Sequence, residues 1–130
     1  MRAFSLVPVY APGPPRRPFG VFMTDLEAKF LYQWRVLGGP ELAQEYRFHH
    51  RRKWRFDFAH VPSRIAIEVE GGTWKHGRHN RPAGYRKDAE KYNHATLDGW
   101  RVFRFTGSMI DDVPFIEQVI ELTEDRKCLG

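Results

Sequence analysis

Three acidic side chains interrupt two of the most apolar segments of the sequence. Asp57 lies within residues 54–59, whose alternating aromatic and polar residues have the period of two that indicates a β-strand. Glu68 and Glu70 lie within residues 65–70, a second segment with the same period. A short apolar strand in a small sheet is normally covered on both faces, so three carboxylates there are costly unless something compensates for them. Residues of this type at this spacing indicate a site for a divalent cation.

The turn between the two segments would place two of these carboxylates side by side. If residues 62–63 form the tip of a tight hairpin, Asp57 lies directly opposite Glu68. Directly opposed residues have Cβ atoms about 4.5–5.5 Å apart, and Glu70 is then roughly 7 Å further along the same face. Like charges this close raise each other's pKa, and a divalent cation relieves the repulsion. Mg²⁺ is typically held by one or two carboxylates together with water and phosphate oxygens.

An ordinary cross-strand network of ion pairs is the alternative interpretation of the same acids. An arginine on a neighbouring strand or turn would then neutralise them, and the sequence offers Arg55, Arg64 and Arg104. We favour the metal, because the acids are many and close together in a chain whose formal net charge is +5.

Positive charge is concentrated in two blocks of the 130-residue chain, at residues 47–55 and 75–91. There are 21 Lys and Arg residues against 16 Asp and Glu, and the sequence pI is about 9.6. Such blocks predict a surface that binds nucleic-acid phosphates, and a solvated arginine-rich face is the alternative. We assign phosphate contacts to three residues of the first block and four of the second: Arg51, Arg52, Lys53, Lys75, Arg78, His79 and Arg81.

Composition excludes several other classes of protein. A single Cys excludes a disulfide framework and a cysteine-based zinc site. The Gly-rich phosphate loop of P-loop ATPases has no counterpart in the sequence. No apolar run approaches the roughly 20 residues of a membrane span, and no secretory leader is evident. We therefore expect a cytoplasmic protein that has no membrane partner.

The first part of the chain predicts an arm followed by a helix. Residues 1–22 contain most of the nine prolines and predict a Pro-rich N-terminal arm, whereas residues 23–130 predict a single domain. Thr24 and Glu27 have the spacing of a capping box, which begins a helix that Gly38 ends.

The remaining segments predict an α/β fold. Their order of helices and strands, α-β-β-β-α-β-α, predicts a mixed central sheet flanked by helices. Alternation puts Trp54, Phe56 and Phe58 on one face of their strand, with Asp57 on the other. We expect strands at about 42–48, 54–59, 65–70 and 100–105, a helix at 83–98, and a last helix that Asp111 or Asp112 caps.

These acids and this order of elements resemble the PD-(D/E)XK nuclease superfamily. Its pattern is a helix with a Glu, an Asp on one strand of a hairpin, and a (D/E)-x-K element on the next strand. Glu27, Asp57 and residues 68–70 match these positions, and the resemblance covers about residues 24–106. It implies a restriction-endonuclease-like αβββαβ core. The segment from Glu70 to Trp100 is also similar to small phage and bacterial endonucleases related to very-short-patch repair nucleases.

The resemblance also implies a metal-dependent mechanism. Mg²⁺, for which Mn²⁺ could substitute, would be held by the carboxylates of Asp57 and Glu68 and by the main-chain carbonyl of Val69. Glu70 would be either a further ligand or the group that positions the attacking water. Glu27 would reach a second metal or a metal-bound water. The sequence departs from the family at position 70, where Glu replaces the usual Lys. A relocated lysine on the following helix would take its role, with Lys91 as the first choice and Lys87 as the second.

We therefore expect a metal-dependent DNA endonuclease. Archaeal-type Holliday junction resolvases share the compact plan and the similar length, which favours branched DNA as the substrate. Two symmetrical incisions at a junction need two active sites, so we expect a homodimer. The alternatives are a mismatch-specific or site-specific nicking endonuclease, and a non-catalytic nucleic-acid-binding module on a nuclease fold.

Overall fold

The computed structural model describes residues 23–71 and 82–129, which form an α/β fold with the predicted order of elements. The predicted N-terminal arm and residues 72–81 lie outside this described part. A 3₁₀ helix at Gly107–Asp111, which the sequence did not predict, precedes the last helix. The bounds of β3 are those predicted, and the bounds predicted for the other elements lie within two residues of the observed ones: α1 Asp25–Val36, β1 Ala43–Arg47, β2 Arg55–His60, β3 Ile65–Glu70, α2 Pro82–Leu97, β4 Arg101–Thr106 and α3 Val113–Leu129.

The four strands form one mixed sheet in the order β1-β2-β3-β4. The pairs β1–β2 and β2–β3 are antiparallel, and β3–β4 is parallel. A tight turn connects β2 to β3, where the Arg64 N–H donates to the Val61 carbonyl at 3.0 Å. A parallel pair needs a long crossover, and the segment containing α2 supplies it between β3 and β4. The predicted mixed sheet is therefore confirmed.

Helices cover both faces of this sheet. The larger core cluster joins α1, α3 and one face of the strands, and the smaller cluster contains Ala95 of α2 and Trp100 on the opposite face. Ile116, Val119 and Ile120 of α3 are buried in the larger cluster, so these side chains form part of the core. Within residues 23–71 and 82–129, no helix has the length and apolarity needed to span a membrane.

Helix α1 begins with the predicted capping box. The Glu27 N–H donates to Thr24 Oγ1 at 3.1 Å, and the Thr24 N–H donates to Glu27 Oε1 at 3.2 Å. The side chain of Leu26 fills the space beside Gly71, since a Cβ there would lie 2.6 Å from Leu26 Cδ1. This close approach places the beginning of α1, and with it Glu27, against the end of β3.

The aromatic side chains of β2 do not lie on one face as predicted. Phe58 packs against Phe30 of α1 with 5.6 Å between ring centroids. Phe56 packs against Trp100 on the face that α2 covers, with 5.0 Å between ring centroids. The prediction that Trp54, Phe56 and Phe58 share one face is therefore wrong, because the alternation of β2 changes between residues 56 and 58.

The change of face occurs at Asp57 and at the residue opposite it on β1. The pairs on either side, residues 44 with 58 and 46 with 56, put Glu45 opposite Asp57. Glu45 has a φ of 51°, in the left-handed region that residues with a side chain seldom adopt. The side chains of both strands therefore change face at the Glu45–Asp57 pair, and the candidate site lies at this position of the sheet.

Candidate active site

Asp57 and Glu68 are fixed by reciprocal bonds to the main chain. The β2–β3 register pairs Phe58 with Ile67, so the next positions bring Asp57 opposite Glu68, as predicted. The Asp57 N–H donates to Glu68 Oε2 at 3.0 Å, and the Val69 N–H donates to Asp57 Oδ2 at 2.8 Å. Each carboxylate therefore has one oxygen held by the neighbouring strand, which orients both groups before any ligand binds.

Helix α2 contributes two further donors to Glu68. Lys91 Nζ lies 2.8 Å from Glu68 Oε1, and the Tyr92 hydroxyl donates to the same oxygen at 2.9 Å. The side chains of Lys91 and Glu68 are only 16% and 10% exposed, so this ion pair is shielded from water. Burial, and then the charge of Glu68, raise the pKa of Tyr92 far above its usual range. The Tyr92 hydroxyl therefore remains a donor at any physiological pH.

The pKa of Asp57 is raised both by burial and by the negative charges around it. Burial and then the charge of Glu68 raise this pKa from 3.8 to about 7, and the charges of Glu27 and Glu45 act in the same direction. The hydrogen bond from the Val69 N–H opposes the rise without cancelling it. We call Glu27, Glu45, Asp57 and Glu68 the carboxylate cluster. At neutral pH, a cation placed beside Asp57 would relieve repulsion that the fold itself leaves in place.

Glu70 lies in the cross-strand ion pair that the alternative interpretation predicted. Arg104 Nε of β4 lies 2.5 Å from Glu70 Oε2, and this hydrogen bond raises the pKa of Arg104. The Arg104 guanidinium also lies over the ring of Tyr92, 4.8 Å from its centroid. Arg64, another candidate partner for the acids, lies over the ring of Trp100. Arginine thus neutralises Glu70, whereas lysine is the cation paired with Glu68.

The two candidate lysines of α2 have different surroundings. Lys91 reaches Glu68, but Lys87, one helical turn earlier, has an exposed side chain. Glu27 is 9% exposed and closes the capping box, so it influences Asp57 through charge as well as shaping the start of α1.

A metal would have to use few protein ligands. Among the described residues, no group of three or more His, Cys, Asp or Glu side chains is arranged to hold a metal ion. Asp57 and Glu68 fit the alternative set for Mg²⁺, in which one or two carboxylates are completed by water and phosphate oxygens.

Two members of the site were missed by sequence reasoning. Tyr92 follows Lys91 on the same helix, and its hydroxyl could have been found by asking which polar groups α2 presents beside the relocated lysine. Glu45 gave no signal, because its left-handed backbone is not evident from the residues around it.

The first basic block forms an exposed turn beside α2, and we call residues 47–55 the basic turn. The main-chain N–H groups of Arg51 and Arg52 donate to His49 Nδ1 at 3.1 and 2.9 Å, and Arg47 Nε donates to the Arg52 carbonyl at 3.1 Å. Arg51, Arg52 and Lys53 are exposed at this turn. The other predicted phosphate contacts, Lys75, Arg78, His79 and Arg81, lie outside the described residues.

Comparisons with known proteins identify the fold. No family model matches the chain, and no curated protein matches it. Among solved structures, the chain is similar to the catalytic domain of the homing endonuclease I-Bth0305I, with a TM-score of 0.56 and 18% sequence identity. The alignment covers 80% of this chain and 98% of that domain. The chain therefore has the fold of an endonuclease catalytic domain, and at this identity the likeness concerns the fold alone.

Proposed function

We propose that this protein is a divalent-metal-dependent DNA endonuclease of the PD-(D/E)XK type. The observation that carries the proposal is the arrangement of Asp57, Glu68 and Lys91. Two opposed carboxylates and one ammonium group lie together where the alternation of β2 changes, and Lys91 Nζ is 2.8 Å from Glu68 Oε1. This arrangement would be a liability in a purely structural sheet, because it leaves the pKa of Asp57 at about 7.

Each residue has a distinct task in this proposal. Asp57 and Glu68, with the main-chain carbonyl of Val69, would hold the cation. A bound Mg²⁺ or Mn²⁺ would polarise a phosphoryl oxygen and lower the pKa of a bound water. Lys91 would orient the attacking water or stabilise the charge that develops on the phosphate. Glu70, which pairs with Arg104, is a weaker candidate for the metal than in the sequence-based assignment.

The position of Lys91 answers the strongest argument for a non-catalytic module. That argument rests on Glu70, which stands where the family usually has lysine. A lysine reaches the carboxylate cluster from α2 instead, so the charges that the chemistry needs are present together. An acidic cluster also repels phosphate and would weaken a surface whose task is only to bind nucleic acid.

DNA is the substrate that the basic turn and the structural neighbour support. The basic turn presents Arg51, Arg52 and Lys53 on the surface beside α2, the helix that carries Lys91. The neighbour is named as a homing endonuclease, and that name favours DNA hydrolysis for a shared fold.

We further propose that a homodimer acts on branched DNA, such as a four-way junction. Its two active sites would make paired incisions across the branch point. A site-specific or mismatch-specific nicking endonuclease is the second candidate, favoured by a neighbour that is named as a homing endonuclease and not as a resolvase. A panel of four-way junction, flap, mismatched and plain duplex DNA separates these candidates, with light scattering to determine the oligomeric state.

Single-turnover cleavage of this panel tests the proposed activity. We expect cleavage with Mg²⁺ or Mn²⁺, none in EDTA, and a loss of at least about 10³-fold in Asp57→Asn and Glu68→Gln. Gln33→Ala, a polar substitution on α1 on the other face of the sheet, is the control and should cleave normally. Circular dichroism must show that all variants are folded. An Asp57→Asn protein that cleaves at the rate of the wild type would overturn the proposal.

A further inference from the structure

A cavity of about 380 Å³ opens between the end of β1 and the basic turn. Its size falls in the range of roughly 300–1,000 Å³ that is usual for ligand sites. Rings and one guanidinium group dominate the residues that line it: Tyr46, Arg47, Phe48, His49 and His50. A cavity with such walls is suited to a flat aromatic ligand that carries negative charge.

The rings beside this cavity form two stacked pairs that meet edge to face, with 6.3 Å between the ring centroids of Phe48 and His49. Phe48 is stacked on Phe56 with 4.2 Å between ring centroids, which fixes Phe48 against the core. His49 and His50 are stacked at 5.0 Å, and the outer ring, His50, is exposed. Trp54 contacts His49 edge to face at 5.1 Å. The result is an aromatic platform whose outermost ring, His50, stacks on His49 and is exposed to solvent.

The platform is tied to the proposed catalytic residues by α2. His94 contacts both His49 and Trp54, each with 5.2 Å between ring centroids. Lys91 precedes His94 by three residues, which is about 4.5 Å along a helix axis. On β1, Tyr46 of the cavity directly follows Glu45 of the carboxylate cluster. A nucleotide in the cavity would therefore lie within a few nucleotides of a phosphate at the carboxylate cluster.

We propose that this cavity binds one nucleobase of the DNA substrate that is unpaired or turned out of the helix. The proposal rests on the proposed function and specifies how the same protein recognises its substrate. The base would stack on the imidazole of His50, and the basic turn would hold the flanking phosphates through Arg51 and Lys53. Stacking on an aromatic platform flanked by positive charge is the general mode by which proteins bind unpaired nucleotides.

A metal ion is a poor occupant of the same place. His49 Nδ1 already accepts two main-chain hydrogen bonds, from Arg51 and Arg52, so this nitrogen is engaged by the turn. Partial burial, and then the neighbouring charges of His50 and His94, lower the pKa of His49, which favours the neutral ring. A neutral imidazole within a stack suits a nucleobase, and no three His, Cys, Asp or Glu side chains of the described residues converge for a metal.

Binding of a duplex with one bulged 2-aminopurine, compared with the fully paired duplex, tests this inference. The measurement is made in EDTA with end-labelled DNA, so no cleavage is needed. We expect the wild type to bind the bulged duplex about 10-fold more tightly, and His50→Ala to bind that duplex alone about 5- to 10-fold more weakly, the effect of removing one stacked ring. The emission of 2-aminopurine should change on binding to the wild type and not to the variant.

Tyr32→Ala is the matched control, because it also removes an exposed aromatic ring but does so on α1, across the sheet. Tyr32→Ala should keep the full preference for the bulged duplex. Equal affinity of the wild type for the two duplexes, or a preference that His50→Ala leaves intact, would overturn the inference. Cleavage with Mg²⁺ is measured separately, so a protein that prefers the bulge and never cleaves would refute the proposed activity alone.

Discussion

The carboxylate cluster and the basic turn use charge in opposite ways. The side chain of Glu68 is 10% exposed, and burial together with the charge of Glu68 raises the pKa of Asp57 to about 7. Arg52 is 47% exposed and makes only a 3.4 Å pair with Glu90, a surface contact of the kind that adds little stability. In the proposed function, buried charge would carry out the chemistry, whereas exposed charge would attract and position DNA.

Removal of the shielded lysine should lower cleavage far more than removal of any exposed basic side chain. We predict that Lys91→Met lowers the single-turnover cleavage rate by at least about 10²-fold, as expected when one partner of the transition state is removed. DNA affinity should change little, because Lys91 is paired with Glu68 and not displayed to solvent. Lys87→Met is the matched control on the exposed side of the same helix. Near-normal cleavage by Lys91→Met would show that the two lysines do not differ in this way.

Removal of a buried repelling charge should stabilise the protein without metal. The pKa of Asp57 is raised in the folded state above its unfolded value of 3.8, so folding carries a penalty that is complete above pH 7 and disappears below pH 4. We predict that Asp57→Asn increases the free energy of unfolding by about 2 kcal/mol at pH 8, since solvent reduces the full effect of the shift.

Chemical denaturation in EDTA at pH 8, 6 and 4 measures this difference. The advantage of Asp57→Asn should shrink steadily as the pH falls from 7 to 4. If Asp57→Asn is less stable than the wild type at pH 8, the charge of Asp57 does not destabilise the folded state as we propose.

Loss of exposed charge should affect binding and not chemistry. We predict that Arg51→Ala combined with Arg52→Ala weakens binding to duplex DNA about 10-fold and lowers the salt dependence of log Kd by roughly 2, one unit for each phosphate that an arginine no longer neutralises. Cleavage at saturating DNA should stay within about 2-fold of the wild type. An unchanged salt slope would show that these arginines do not contact phosphates.

The order of the elements was predictable because it depends on local signals. The capping box of Thr24 and Glu27 and the strands at residues 54–59 and 65–70 were predicted from local patterns, and the structure has the cap and both strands. The face of Phe56 was not predictable, because it depends on the change of alternation at Asp57. That change lies opposite the left-handed backbone of Glu45 on another strand, and periodicity within one strand cannot reveal it.

The candidate site was predictable to the extent that it depends on register. A tight turn at residues 61–64 was enough to place Asp57 opposite Glu68. The choice between lysine and arginine as the partner of each acid needed the tertiary structure, since Lys91 and Arg104 lie on elements far away in sequence. Periodicity gave the face of Glu68 and Glu70 correctly, but it could not show that the two acids have different cations.

The central claim is that Asp57 and Glu68 form a site for a divalent cation, and thermal unfolding with the metal alone tests it most directly. A ligand that binds only the folded state raises the melting temperature, by an amount that grows with the logarithm of the ligand concentration relative to its Kd. Addition of 10 mM Mg²⁺, or of Mn²⁺, without DNA at pH 8 should raise the melting temperature of the wild type by a few degrees, about 1 kcal/mol in a domain of this size. Asp57→Asn should start higher and gain nothing. Equal shifts in the two proteins, or no shift in the wild type with either metal, would contradict the account.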